Sequence, residues 1–500
     1  MRKHRLDKVF EPKSVAVIGA SARPLSVGGQ VLGMLIDNDF QGELYLVNPK
    51  HRHIRGLPCY PSVSAIKEAL DLVVIAVPAE AVAGIMRECG RQRVGAAIII
   101  SAGFGEAGPQ GQALQDEIVE IARAHNIALV GPNCLGVVRP RVGLNASFAR
   151  SKVSSGHVAM VAQSGSFCSA LLDWADARDF GFSAVASLGA TADVDFGEVL
   201  DYLALDSHTR SILLYIEGVS DARAFISGLR GAARLKPVIV VKSGRSERGT
   251  RAAASHTGAR VVEDLVFDAA IKRAGAVRVT TVSQWFATAQ TLASGIRVEG
   301  SRLAILTNGG GPGVMAADRA ADVNVPLADL SGSSMEKLGA ALPTHWSHAN
   351  PVDILGDATG ERYGLTTRIL LADENVDGIL VLLSPQGMTD PLACAEAVIE
   401  AAESSRKPVL TCWLGEKRVQ GARQRLILAG IPSFTNPEAG VDAFGFLAAY
   451  RRNQNALLQA PPPLSRKKAP DVAGARLLIE QVLAEGRYIL SNSEAKDVLR

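Results

Sequence analysis

The chain has 500 residues, 47% of them apolar, with 53 Lys plus Arg against 50 Asp plus Glu; it is long enough for several cored domains and has no global field arguing for nucleic acid or an anionic membrane. Six cysteines with no C-x-x-C pair among them fit reduced thiols and exclude a disulfide framework. The basic start MRKHRLDKVFEPKS has no apolar core, and every later apolar run is broken before the roughly 18 residues a membrane span needs, so a soluble cytoplasmic protein is expected.

Short β-branched runs alternate with Ala- and Leu-rich segments of helical period three times along the chain, the pattern of parallel sheets covered by helices on both faces. The first stretch predicts strands at 14–19, 44–47, 72–77, 96–101 and 127–130. The second predicts them at 158–163, 183–189, 212–217 and 237–242, and the third at 303–308, 378–384 and 408–414. The expected fold class is α/β, with three doubly wound parallel-sheet domains. The turn-rich segments FARSKVSSG and IRVEGSR divide them at 1–150, 151–298 and 299–455. APPPLSRKKAP then reads as a linker over 456–470, and 471–500 as one or two helices opening a further domain.

VIGASARPLSVGG follows the first predicted strand and opens a helix, so bare amides at Gly19, Ser21, Gly28 and Gly29 are placed to receive a phosphate group. A plain structural turn is the competing reading. The next strand ends VNPKHRHIR, where a nicotinamide-binding fold usually carries an acid for the ribose. Lys50, Arg52 and Arg55 stand there instead and suit an extra phosphate, as on coenzyme A or NADP, unless they are merely solvated surface charges. Three further strand ends carry small-residue loops, AVPAE (76–80), SAGFGE (101–106) and GPNCLG (131–136), at the edge where ligands of such sheets sit.

Two more helix starts are built as anion cradles: Ser164, Gly165 and Ser166 in AQSGSF, and Asn308, Gly309, Gly310 and Gly311 in LTNGGGPGV. Neither has a Walker lysine, which suggests a phosphate held chiefly by amides and attached covalently to the protein. His256, in AAASHTGAR, is the candidate carrier, because neutral imidazole is a nucleophile; a buried structural histidine is the alternative. Glu217, ending the predicted strand ILLYIE, is the candidate carboxylate to orient its ring. His345 and His348 in THWSHAN are read as packing or capping groups, and no metal ligands are assigned.

Taken together, SVAVIGAS, VNPK, SAGFGE, GPNCLG, AQSGS, ADVDF, KSGRS, SHTGA and TNGGGPGV resemble the NDP-forming acyl-CoA synthetases, the superfamily of succinyl-CoA synthetase and ADP-forming acetate–CoA ligase, over essentially the whole chain. The resemblance implies a Rossmann-like CoA-binding domain followed by two flavodoxin-like ligase domains. It adds Asn48, Pro49, Lys50, Val77, Pro78, Ser101, Ala102, Gly103, Glu106 and Asn133 to the glycine turn as the CoA site. It also implies that His256 is phosphorylated between the turns at Ser164 and Gly310. The implied reaction converts acyl-CoA, phosphate and ADP to a short carboxylate such as acetate, CoA and ATP, through acyl phosphate and phosphohistidine. ATP or ADP and Mg2+ would enter through an ATP-grasp domain or subunit, whose first helix YILSNSEAKDVLR resembles, and a homo- or hetero-oligomer is implied.

GLNASFA, LLDWA and YRRNQ also look like the ligase-like half of Pat-type bacterial protein lysine acetyltransferases. That likeness implies a possible GNAT acetyltransferase domain and, as the alternative function, a non-catalytic CoA or acetyl-CoA sensor. Retention of SHTGA favours chemistry over sensing, whereas Ala190, where the synthetases commonly carry Asn, points to an altered acyl site. An NADP-linked oxidoreductase is the third reading, carried by the glycine turn and Lys50 alone.

Overall fold

The computed structural model describes residues 4–177, 180–251, 263–293, 295–458 and 471–499. The chain divides into two compact units, residues 1–457 and 458–500. The first holds three sheets.

Seven strands make the first sheet: β1 (Ser14–Ile18), β2 (Glu43–Val47), β3 (His53–Ile54), β4 (Leu57–Tyr60), β5 (Leu72–Ile75), β6 (Ala96–Ile99) and β7 (Ala128–Val130). Their order is β3-β4-β2-β1-β5-β6-β7, parallel throughout except for the β3–β4 pair. β1, β5 and β6 are buried at every position, as strands covered on both faces must be. The order reverses between β1 and β5. That is the crevice where doubly wound sheets bind ligands, outside the carboxyl ends of their strands.

The second sheet comprises β8 (Gly136–Arg139), β9 (Leu144–Ser147), β10 (Ser155–Ala162), β11 (Phe182–Ser187), β12 (Ser211–Ile216), β13 (Val238–Lys242) and β14 (Val277–Val279), in the order β14-β13-β12-β10-β11-β8-β9. Its five parallel strands follow the flavodoxin order 2-1-3-4-5 and reverse between β10 and β12. β8 and β9 extend the β11 edge as an antiparallel hairpin. The third sheet repeats the design with β15 (Leu303–Thr307), β16 (Val352–Asp353), β17 (Gly378–Leu383), β18 (Val409–Trp413) and β19 (Ser433–Phe434). It is all parallel in the order β16-β15-β17-β18-β19, reversing between β15 and β17.

Every strand expected from the sequence is present, with ends displaced by a few residues at most. The short strands β3, β4, β14, β16 and β19 and the β8–β9 hairpin are additions to that expectation. The hairpin matters most, because residues 136–147 precede the expected boundary at 150 yet pair into the second sheet. Leu144 and Ala146 of β9 share one buried cluster with Leu32 and Leu35 of the helix Val27–Asp37, so the hairpin packs the first sheet onto the second. Another cluster joins Leu171 and Trp285 of the second region to Leu303 and Ile305 of β15 and to Phe444, both in the third.

The second unit contributes the helices Val472–Ala484 and Asn492–Leu499, joined by Arg487 bonded to Glu485 and Glu494. No helix among the described residues is long and apolar enough to cross a membrane.

Candidate functional site

A cavity of about 1110 Å³ runs along the carboxyl edge of the first sheet. The turn after β1 shapes it. Gly19 has φ +86°, and a Cβ there would lie 2.4 Å from the Ala76 carbonyl oxygen, while one on Gly28 would lie 2.0 Å from the Gly19 oxygen. Helix and strand therefore meet backbone to backbone, which only glycine permits. Ser26 caps the helix by accepting the Gly29 N–H at 3.2 Å. Asn48 ties the end of β2 to this turn through Nδ2 on the Ala20 carbonyl (2.8 Å), and its Oδ1 accepts the Lys50 N–H (2.9 Å).

Of the expected CoA-site residues, Gly19, Ser21, Gly28, Asn48, Pro49, Lys50, Val77, Pro78, Ser101, Ala102 and Asn133 line this one cavity. Gly29, Gly103 and Glu106 stand outside the lining. The Gly29 amide is bonded to Ser26, and the Glu106 carboxylate accepts the Gly103 N–H at 2.7 Å. These three shape the loops rather than face the space. Arg52 and Arg55 also lie outside it; Lys50 and His51 are its cationic and titratable neighbours at the β2 end. Phe148 also lines the cavity. Its signal in GLNASFA is not legible from the sequence, because it depends on the hairpin that positions it.

The far end of the cavity leads to the second sheet. The Asn133 N–H donates to the Ser101 carbonyl (3.0 Å), and Ala190 and Ala192 donate to the carbonyls of Pro132 and Gly131 (3.0 and 3.2 Å). Two residues on, Leu135 is the nearest neighbour of Gly165, whose Cβ would stand 3.3 Å from the Leu135 nitrogen. Gly165 opens the helix Gly165–Asp176, which is capped by Ser164 Oγ accepting the Phe167 N–H at 3.3 Å. The cavity therefore ends next to a helix N-terminus, where the backbone dipoles favour an anion.

Glu217 follows β12, across the reversal point from Ser164. Gln163 joins the two sides, its Oε1 accepting the N–H groups of Glu217 (2.6 Å) and Gly218 (3.0 Å). Burial, then the neighbouring Glu217 carboxylate, push the Tyr215 phenol upward, while a bond to the Ser243 side chain opposes them. The Tyr215 ring packs on Phe167 at 4.3 Å between centroids. Lys242, the first cation of a basic run in the sequence, is buried and turns back to donate to the carbonyls of Ser243 (3.2 Å) and Gly244 (3.1 Å). Burial lowers its pKa. His256 lies outside the described residues.

In the third sheet Asn308 is fully buried and clipped to Ser384, accepting its N–H at 2.8 Å and donating to its carbonyl at 2.9 Å. That side chain braces the β15–β17 crevice. The helix Gly310–Asp322 starts from Gly309 with no side-chain cap, leaving Gly310 and Gly311 at an uncapped N-terminus. Asp353 stands beside it, its Oδ2 3.6 Å from where a Gly310 Cβ would be.

Comparison with known proteins agrees with this layout. Family models described as a CoA binding domain, a succinyl-CoA ligase like flavodoxin domain and a ligase-CoA domain match residues 13–140, 155–292 and 303–458. The chain is 41% identical over 488 residues to the ADP-forming acetate–CoA ligase I of Archaeoglobus fulgidus, covering 97% of this chain and 69% of that one. It is 39% identical over 448 residues to the α subunit of the corresponding Pyrococcus furiosus ligase, covering 88% and 97%. Among solved structures, the dinucleotide forming acetyl-coenzyme A synthetase 1 of Ca. Korarchaeum cryptofilum, in complex with phosphate and ADP, superimposes with a TM-score of 0.85 at 34% identity, over 91% of this chain and 99% of that one.

Proposed function

Because the chain belongs to the ADP-forming acetate–CoA ligases, we propose that its three sheets carry the acyl-transfer and phosphoryl-relay part of that reaction, with acetate or another short acid as the carboxylate. The observation that carries this reading is that Asn133, in the lining of the first-sheet cavity, lies two residues before Leu135, which packs against the helix N-terminus at Gly165. A thioester held at the glycine turn and extended along the cavity points its acyl end toward a second helix N-terminus whose backbone amides attract phosphate.

The steps follow from that placement. A phosphate oxygen attacks the thioester carbonyl, the C–S bond breaks, and CoA leaves as the thiolate and takes a proton. An imidazole nitrogen of His256 then attacks the phosphorus of the acyl phosphate, and the P–O bond breaks to release the carboxylate. An oxygen of the ADP β-phosphate takes the phosphoryl group from the ring and yields ATP. In this reading the amides of Gly165 and Ser166, and those of Gly310 and Gly311, neutralise the anion in turn, and Glu217 orients the imidazole.

ADP is assigned to a further part or partner of the protein. The naming of one relative as an α subunit and the 69% coverage of a single-chain relative support this. The regulatory reading is not favoured, since the relatives are ligases, and an acetyltransferase partner is not carried forward.

Calorimetric titration of the chain tests the first site: CoA is expected to bind and NADP to give no saturable heat, whereas NADP binding without CoA binding would return the protein to the oxidoreductase reading. A Gly28→Val variant sharpens the test. Its side chain would collide with the Gly19 carbonyl, and overpacking strain of about 1–3 kcal/mol predicts roughly tenfold to hundredfold weaker CoA binding. Unchanged affinity would remove the glycine turn from the site.

A further inference from the structure

We propose that Phe148 sets the size of the acyl group this protein accepts, a step that rests on the CoA-thioester reading above. The register of the sheets leads to it. The cavity spans the carboxyl ends of β2, β1, β5 and β6 and reaches Asn133 beyond β7. At about 4.8 Å between neighbouring strands, Lys50 at the β2 end and Asn133 at the β7 end are separated by four strand intervals, on the order of 19 Å. A thioester with its phosphates at the glycine turn and Lys50 therefore extends its thiol end toward Asn133.

The β8–β9 hairpin decides what waits there. Gly136 is paired with Ser147, so the chain entering β8 from Asn133 and the chain leaving β9 at Phe148 emerge side by side. Phe148 is 36% exposed although Ser147 and Ala149 on either side are buried, and it is the one Phe, Tyr or Trp among the described residues lining the cavity. Its surroundings are rigid. Gly189 approaches so closely that a Cβ would lie 2.3 Å from the Pro132 oxygen and 2.5 Å from that of Asn133, and the Leu135 N–H donates to Ser187 Oγ at 3.0 Å. With this backbone fixed and no other Phe, Tyr or Trp lining the cavity among the described residues, the benzyl group is the bulky element whose size bears on the space left for the acyl chain. A short acyl group fits beside it, and a branched or aromatic one competes with the ring for the same volume.

The test measures dissociation constants of CoA, acetyl-CoA, isobutyryl-CoA and phenylacetyl-CoA for the wild-type chain and for Phe148→Ala, Phe148→Leu and Phe148→Trp. Phe148→Ala is expected to shift the preference for phenylacetyl-CoA over acetyl-CoA by at least about tenfold in favour of the bulky thioester. Phe148→Leu should give a smaller shift of the same sign, and Phe148→Trp a shift of the opposite sign. CoA affinity should change less than the acyl preference in all three, and an unchanged thermal melt establishes that each variant is folded. If the acyl preference does not move, or if CoA and every thioester weaken together, the assignment of Phe148 is overturned while the CoA site stands. If the wild-type chain fails to bind CoA at all, the underlying reading falls and takes this one with it.

Discussion

Replacing His256 with alanine is expected to abolish phosphorylation of the protein and to lower net ATP formation from acetyl-CoA, phosphate and ADP by at least about 10³-fold. The residue lies outside the described residues, so the argument runs through what brackets it. β10, β12 and β13 are parallel, so Ser164, Glu217 and Ser243 all leave the sheet at the same edge. The chain departs there after Lys242, is described as far as Arg251 and again from Glu263, ahead of the helix Asp264–Arg273. Its departure is pinned: Ser243 donates to the Ile216 carbonyl at 3.0 Å, Lys242 holds the carbonyls of residues 243 and 244, and Thr250 Oγ1 donates back to Gly244 at 2.9 Å. A phosphorylated imidazole carries a charge near −2, comparable to other phosphorylated side chains, and the helix N-terminus at Gly165 offers about +0.5 of opposite sign. The relay step therefore depends on this ring, and the first step does not. The alanine variant, assayed with its nucleotide-binding partner, should still release CoA from acetyl-CoA in the presence of phosphate while incorporating no acid-labile, alkali-stable phosphate. Label incorporation equal to wild type would remove His256 from the mechanism.

Most of the strands that periodicity reveals carry four or more consecutive buried apolar residues, as β1, β5 and β17 do. β16 and β19 are two residues long and carry no period to detect. β8 and β9 escape for a different reason. They are buried at every position, and GVVR and LNAS show neither a long apolar run nor a clean alternation, because Asn145 and Ser147 are themselves fully buried, with Ser147 Oγ donating to Asn145 Oδ1 at 2.6 Å. Tertiary context, the first-sheet helix on one side and the second-sheet strand β11 on the other, holds them as strands. The consequence reaches the site. Glycine turns and strand-end loops are legible because backbone approach demands small residues in a recognisable order. The partners that depend on long-range packing are not: Gln163 bridging to Glu217, Asn308 clipped to Ser384, Lys242 folded back into the core, and Phe148 delivered by the hairpin.

That hairpin depends on a buried charge, and removing it should have the largest effect on stability. Arg139, the last residue of β8, is 0% exposed. It makes paired bonds to Asp206 at 2.8 and 2.9 Å, a third to the Ser183 carbonyl at 2.9 Å, and a fourth to Glu11 at 3.1 Å. Its Nε has no partner among the described residues. Burial alone would raise the Asp206 carboxyl, but the guanidinium, helped by Thr209, overrides burial and holds it at about 2. Substituting Arg139→Met keeps much of the stem's packing and strands the carboxylate, at an expected cost of about 3–5 kcal/mol. The loss should appear as a lowered urea midpoint for the transition that unfolds the second sheet. The pH dependence has a definite sign. Asp206 is depressed relative to an unfolded aspartate near 3.9, so its pairing contributes fully above about pH 4 and is lost as pH falls toward 2. The gap between wild type and Arg139→Met should thus be widest at neutral pH and close through that window. Adding Asp206→Leu should recover most of the loss, because no buried charge is then left unpaired. A variant as stable as wild type at pH 7, or a gap indifferent to acid, would mean that the hairpin is held by apolar packing alone.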